Sequence, residues 1–295
     1  MNSHEFSNLL SKKKIIVADG ATGTNLILRG LDQGFTPENW VIDNPAKIKQ
    51  LHLDFIKAGA EIILTSTFGG SEIRLEQSGL RDKYIQVNRI AVNLAKQAVK
   101  NTHVLIAGSM GPLGQMLKPL GTLEIREAES YYARQAAALC AAGVDIIVIE
   151  TQFDINEAKA AISGVKSFCQ QALVCSFSFD RGTRTMMGVS PSSFAKDVEG
   201  LGLSAIGINC GKSLEDNSNA LIELSNTTEI PIWFKPNAGL PHLDESGKPI
   251  YDITPDQMAE NVAAWIEAGA RIIGGCCGTT PEHLRAIANV VKTLR

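Results

Sequence analysis

The sequence predicts an α/β fold, a single (β/α)8 TIM barrel occupying residues 1–295, and three observations predict it. Short β-branched runs alternate with longer helix-like segments from end to end, eight of each. No Pro/Ser-rich linker divides them. Several runs are apolar without alternation, as in Ile146-Ile147-Val148-Ile149, which suits strands of a parallel sheet covered by helices on both faces.

The expected strands are Lys14–Ala18, Glu61–Thr67, Val104–Ser109, Asp145–Thr151, Ala172–Phe179, Ala205–Cys210, Ile230–Lys235 and Arg271–Gly275. The expected helices are Ala46–Lys57, Tyr84–Val99, Ile125–Ala141, Ile155–Lys166, Ser192–Gly200, Asn217–Ser225, Pro255–Glu267 and Pro281–Leu294. Thr254-Pro255 and Thr280-Pro281 are start signals, a cap residue before proline at the first helical position. The phrases Ala58-Gly59-Ala60, Ala142-Gly143-Val144 and Ala268-Gly269-Ala270 each end a helix and open a strand, with a glycine free to take the left-handed turn. An open doubly wound sheet is disfavoured, since no Gly-x-Gly-x-x-Gly follows the first strand. Phe35–Asn44 and Gly239–Ile253 read as the longest irregular pieces, both after strand C-terminal ends.

Composition narrows the function. A formal net charge of −3 gives no basic footprint for nucleic acid. No apolar stretch reaches the roughly 18 residues of a membrane span, and the N-terminus lacks a secretory pattern. Six cysteines on so long a chain suggest reduced thiols in a cytoplasmic setting. Cys140, Cys169 and Cys175 fall on helix or strand bodies and read as small core residues.

In a barrel, the residues just past each strand's C-terminal end converge on one mouth. Cys276 and Cys277 close the eighth strand and Cys210 the sixth. Neighbouring cysteines do not readily bond to each other, because trans-linked Cα atoms stand closer than disulfide geometry prefers. Three thiolates at one mouth suit a soft metal, and zinc with an open position is the expectation; buried thiols are the alternative. The first strand ends in Asp19-Gly20-Ala21-Thr22-Gly23-Thr24, read equally as a tight turn or as a site where Asp19 holds an ammonium. Glu150 closes a run of apolar residues and needs a partner there, functional or structural. The histidines form no competing cluster; His242 is alone in a mouth loop.

Asp19-Gly20-Ala21-Thr22-Gly23-Thr24, Asn209-Cys210 and Gly274-Gly275-Cys276-Cys277-Gly278 together resemble the signature of the homocysteine S-methyltransferase family, in order and over nearly the whole chain. The resemblance implies that Cys210, Cys276 and Cys277 bind zinc and that zinc binds homocysteine sulfur. It implies that Asp19 and Glu150 hold the amino acid's ammonium and that backbone N–H groups of Gly20, Ala21, Thr22, Gly23 and Thr24 take its carboxylate. Asn209 joins this substrate-binding set, and Asn237 matches a position that caps the zinc before substrate arrives. Within the family, Pro37-Glu38-Asn39-Trp40, Thr65–Gly70 and Lys235-Pro236-Asn237-Ala238-Gly239 side with the homocysteine module of cobalamin-dependent methionine synthase. That leaning makes methylcobalamin, or a methyl-corrinoid partner protein, the expected donor. A self-contained enzyme using S-methylmethionine or S-adenosylmethionine is the alternative, and a non-catalytic zinc/thiol-binding subunit is the alternative of a different class. Trp40, Trp233 and Trp265 are too scattered to form an aromatic cage, which disfavours betaine.

Overall fold

The structure is a computed structural model, and it describes residues 1–32, 34–243 and 249–295. Eight parallel strands form one sheet: β1 (Ile16–Val17), β2 (Ile62–Leu64), β3 (Leu105–Met110), β4 (Ile146–Gln152), β5 (Ala172–Phe177), β6 (Ala205–Cys210), β7 (Ile232–Pro236) and, after an intervening hairpin, β10 (Ala270–Ile273). β1 pairs with β10, and the sheet closes where Ala18 bridges Ile62 and the Glu61 N–H donates to the Val17 carbonyl at 2.7 Å. The barrel read from the sequence is the fold observed.

Alternation along each strand builds two cores. Ile16, Ile62, Leu64, Ile146, Val148, Ala172 and Val174 point inward and pack on Trp233 and Ile272. Val17, Ile63, Ile147, Ile149 and Leu173 point outward, into the layer beneath the helices. Strands buried on both faces in this way need no polar positions. The helix Ser3–Lys13, absent from the sequence reading, places Phe6 and Leu10 in the inner cluster and so packs on the barrel interior.

Two outer helices have the expected bounds, Tyr84–Val99 and Pro281–Leu294. Gly59 and Gly143 end their helices at φ 113° and 88°, as the repeated phrase requires. The region expected to be irregular at Phe35–Asn44 instead contains a helix, Pro37–Asp43, started by a Thr36–Asn39 capping box and proline at its first position. The expected helix Pro255–Glu267 is divided at Asn261. Within Gly239–Ile253, strands β8 (Pro241–Leu243) and β9 (Pro249–Tyr251) pair antiparallel, and residues 244–248 of that stretch lie outside the described residues.

The cysteine reading needs one correction. Cys140, near the end of the helix Ile125–Ala142, and Cys169, just past the helix Ile155–Phe168, are joined in a disulfide with Cα atoms 6.3 Å apart. These two helices pack directly together, which brings residues 29 apart in sequence into bonding range. Cys175 is a buried free thiol, as expected. Among the described residues, no helix is long and apolar enough to cross a membrane.

Candidate active site

Three cysteines meet at the C-terminal mouth of the barrel. Cys210 ends β6 with φ 62°, a left-handed conformation unusual for a side-chain-bearing residue. Asn217, from the following helix, steadies that turn by donating to the Cys210 carbonyl at 2.6 Å. Cys276 and Cys277 follow β10 through Gly274 and Gly275. A Cβ on Gly274 would lie 2.6 Å from the Asp19 carbonyl oxygen, so the strand end approaches β1 this closely only because no side chain intervenes. The Cys276 N–H then donates to the Pro236 carbonyl at 2.8 Å, fixing the cysteine pair beside β7. The three Sγ atoms lie within 4.8 Å of one another, Cys210 being 2.9 Å from Cys276 and 3.9 Å from Cys277.

So close a set cannot ionise independently. Hydrogen bonds from Cys210 and Cys276 hold the Cys277 thiol well below its ordinary range. Sharing hydrogens with Cys276 and Cys277 pushes Cys210 well above its own. For Cys276 the contact with Cys210 is lowering, but Cys277 and burial outweigh it and push the thiol up to about 12. The cluster therefore carries one negative charge readily and resists a second and third. A divalent cation removes that resistance, and thiolate sulfur is the donor that zinc favours; the residues fit the metal.

The cysteines open into a cavity of about 320 Å³. Its wall includes Gly20–Thr24 from the first strand end, Thr65 and Ser66 from the second, Ser109 from the third, and Glu150 and Thr151 from the fourth. Glu150 is buried and accepts a hydrogen bond from the Ser109 hydroxyl. Burial pushes its carboxyl up to about 7, against the opposing pull of Lys235. Asn209 is buried between Glu150's strand and the cysteines. Its Oδ1 accepts from the Thr151 N–H at 2.8 Å and the Ser176 hydroxyl at 2.6 Å; its Nδ2 donates to Thr151 Oγ1 at 2.6 Å and faces Cys276 Sγ at 3.8 Å.

Asp19 is also at the mouth but set behind the cavity wall. Its Oδ1 accepts from Lys235 Nζ at 2.7 Å and its Oδ2 from the Leu64 N–H at 2.7 Å. Burial raises the Asp19 carboxyl, with Lys235 acting in the opposite direction. Asn237 donates from Nδ2 to the Gly211 carbonyl at 2.7 Å, one residue past Cys210, and its buried Oδ1 has no partner among the described residues.

The structure thus gathers the sequence-expected residues at one mouth: Cys210, Cys276, Cys277, Gly20–Thr24 and Glu150 on the cavity, with Asn209, Asn237 and Asp19 supporting it. Within Gly20–Thr24, the Ala21 N–H is already engaged by Thr279, and Thr22 begins a helix, Thr22–Leu28, where a bare turn was one reading. Sequence reasoning gave no role to Lys235 or Glu38. Glu38 lies in the unforeseen helix Pro37–Asp43, lines the cavity and accepts from the Gly69 N–H at 2.7 Å. A lysine closing an apolar strand was a signal of the same kind as Glu150 and could have been paired with Asp19.

Fold and site define an α/β barrel with a cluster of three cysteines at its mouth, a donor set suited to a metal ion. Comparison with known proteins narrows the class. The family profile described as homocysteine S-methyltransferase matches residues 16–291. The methionine synthase of Mycobacterium leprae is 31% identical over 98% of this chain, and that of Mycobacterium tuberculosis is 30% identical over 96%. This chain spans 26% and 25% of those relatives' own length. The crystal structure of the homocysteine methyltransferase MmuM from Escherichia coli, in its metallated form, is similar with a TM-score of 0.82 at 26% identity, covering 96% of this chain and 98% of that one. The chain belongs to the homocysteine S-methyltransferase family.

Proposed function

We propose that this chain transfers a methyl group to the sulfur of homocysteine, giving methionine, with zinc held by Cys210, Cys276 and Cys277. The observation that carries this reading is the convergence of three cysteine sulfurs on a cavity that also presents Glu150. Bound there, zinc would supply a Lewis acid that keeps a substrate thiol deprotonated at neutral pH, where a free thiol with a pKa near 8.5 is mostly protonated.

The chain's own residues do the rest. Three thiolates keep the centre electron-rich, so that a substrate sulfur beside them stays nucleophilic. Asn209 orients Cys276 and Thr151 together. Glu150, ionised, accepts the substrate's ammonium, while N–H groups along Gly20–Thr24 face its carboxylate. Asn237, whose buried Oδ1 has no partner among the described residues, would cap the zinc before substrate arrives. In the transfer the sulfur lone pair forms the new S–C bond as the donor's bond to CH3 breaks, the donor keeping that electron pair.

For the donor we favour methylcobalamin, free or on a corrinoid protein, a reading supported by the motifs at 37–40, 65–70 and 235–239 and by the identity to methionine synthases. A small sulfonium, S-methylmethionine or S-adenosylmethionine, is the second reading, supported by the nearly complete coverage of the E. coli homocysteine methyltransferase. The test supplies zinc-loaded protein with homocysteine and each donor in turn and measures methionine, alongside zinc content of Cys276→Ala and Cys277→Ala. Methionine from methylcobalamin and loss of stoichiometric zinc in both variants support the reading. Turnover with a sulfonium alone replaces the donor, and full zinc retention in both variants removes the metal assignment. Zinc bound with no methyl transfer from any donor would indicate a thiol-binding subunit instead.

A further inference from the structure

A lysine stands at the mouth where the sequence led only to carboxylates. Lys235, on β7, is buried and lines the cavity. Its ammonium has three N–H donors. One goes to Asp19 Oδ1 at 2.7 Å, and it is the only hydrogen bond of Nζ among the described residues. The Trp233 ring lies 5.7 Å from Nζ and offers no lone pair. The ammonium and the Asp19 carboxylate form an ion pair buried on both sides. Asp19 meanwhile commits one oxygen to Lys235 and the other to the Leu64 N–H. A buried cation with spare donors beside a ligand cavity calls for an anionic acceptor on the cavity side.

We infer that Lys235 recognises the carboxylate of an amino-acid thiol, with Glu150 taking its ammonium and Asp19 acting as the positioning residue that fixes the lysine. This rests on the reading of homocysteine as the methyl acceptor. It divides the two clamp carboxylates: Glu150 faces the substrate, and Asp19 acts through Lys235. It also sets a specificity, since a thiol without a carboxylate leaves those donors unmet.

The experiment is calorimetric titration of the zinc-loaded full chain with three thiols: homocysteine, 3-aminopropanethiol, which lacks the carboxylate, and 4-sulfanylbutanoate, which lacks the ammonium. Replacing both partners, Lys235→Met with Asp19→Asn, avoids leaving a buried charge alone. This variant is expected to lose roughly tenfold or more in affinity for homocysteine and 4-sulfanylbutanoate, the scale of one charge-assisted hydrogen bond, and to keep its affinity for 3-aminopropanethiol within about twofold. Lys235→Arg, which keeps the charge but shifts the donors, should weaken the same two ligands by a smaller factor, and it supplies the reading if the double variant does not fold. Equal losses for all three thiols would overturn the inference, because they place the lysine's effect at the sulfur end. Tighter binding of 3-aminopropanethiol by the double variant would overturn it too, since the lysine would then occupy the ammonium's own place. If the unmodified protein binds none of the three, the homocysteine reading fails and this inference fails with it.

Discussion

Asn209 and Thr151 hold each other twice: the Thr151 N–H donates to Asn209 Oδ1 at 2.8 Å, and Asn209 Nδ2 donates to Thr151 Oγ1 at 2.6 Å. Thr151 follows Glu150 and has φ 60°; Asn209 precedes Cys210, which has φ 62°. Two strand ends in a sparsely populated conformation, one carrying the carboxylate and the other a sulfur, are thus locked by one buried amide. Asn209→Ala should therefore weaken zinc retention by about 10–100-fold, the scale for removing a group that orients a metal ligand. Competition with a chromogenic chelator measures it. An unchanged zinc affinity would leave Asn209 as packing alone.

As the proposed acceptor of the ammonium, Glu150 would give homocysteine binding a pH dependence of definite sign. Burial is the main cause that brings its carboxyl up to about 7. Only the ionised form accepts an ammonium, so affinity should fall as pH drops below about 7. Glu150→Gln should bind roughly tenfold or more weakly at pH 8, where the charge-assisted hydrogen bond is lost, and its profile between pH 6 and 8 should flatten. Titration calorimetry across that range is the check, and parallel profiles for both proteins would place the ammonium elsewhere.

His52 concerns stability. It lies on the helix Pro45–Ala58, buried, with Nε2 unpartnered among the described residues, and burial lowers its pKa to about 4. An unfolded histidine titrates near 6.5. Because the folded value is depressed, the stability is fully present above about 6.5 and is lost as pH falls through about 4. The unfolded chain takes up the proton first, at a cost to the folded state of up to about 3 kcal/mol. His52→Leu should remove this part of the acid sensitivity. Urea unfolding at pH 7 and pH 4.5 tests it; an identical difference between the two pH values in variant and parent would exclude His52 as a source.

The Cys140–Cys169 bond closes a loop of 29 residues between adjacent helices. Chain-entropy arguments give such a crosslink roughly 3–4 kcal/mol. Cys140→Ser should lower the melting temperature under oxidising conditions by an amount that added dithiothreitol reproduces in the parent. A melting temperature indifferent to both changes would mean that the crosslink does not contribute to stability.

Much of this was legible because barrel chemistry is written at strand ends. Apolar runs closing in Glu150, Asn209-Cys210 and Cys276-Cys277 announced both the sheet and its mouth. The Asp19–Lys235 pair was hidden by distance, since 216 residues separate its members and only barrel closure joins β1 to β7 through β10. The disulfide was hidden for the same reason, since helix packing and not spacing sets its geometry. Pro37–Asp43 was missed because its tight Thr36-Pro37 start sits in a stretch too short to show periodicity. Ser3–Lys13 has just two core-facing residues, Phe6 and Leu10, and its polar remainder reads as a tail.

In the proposed site Cys210, Cys276 and Cys277 would hold zinc and leave one position for homocysteine sulfur. Zinc-edge X-ray absorption on the loaded protein, before and after homocysteine is added, tests it most directly. The expected result is three sulfur neighbours plus one lighter atom, changing to four sulfurs at about 2.3 Å when homocysteine binds. A sulfur count that stays at three with saturating homocysteine, or a resting site with fewer than three sulfurs, would contradict it.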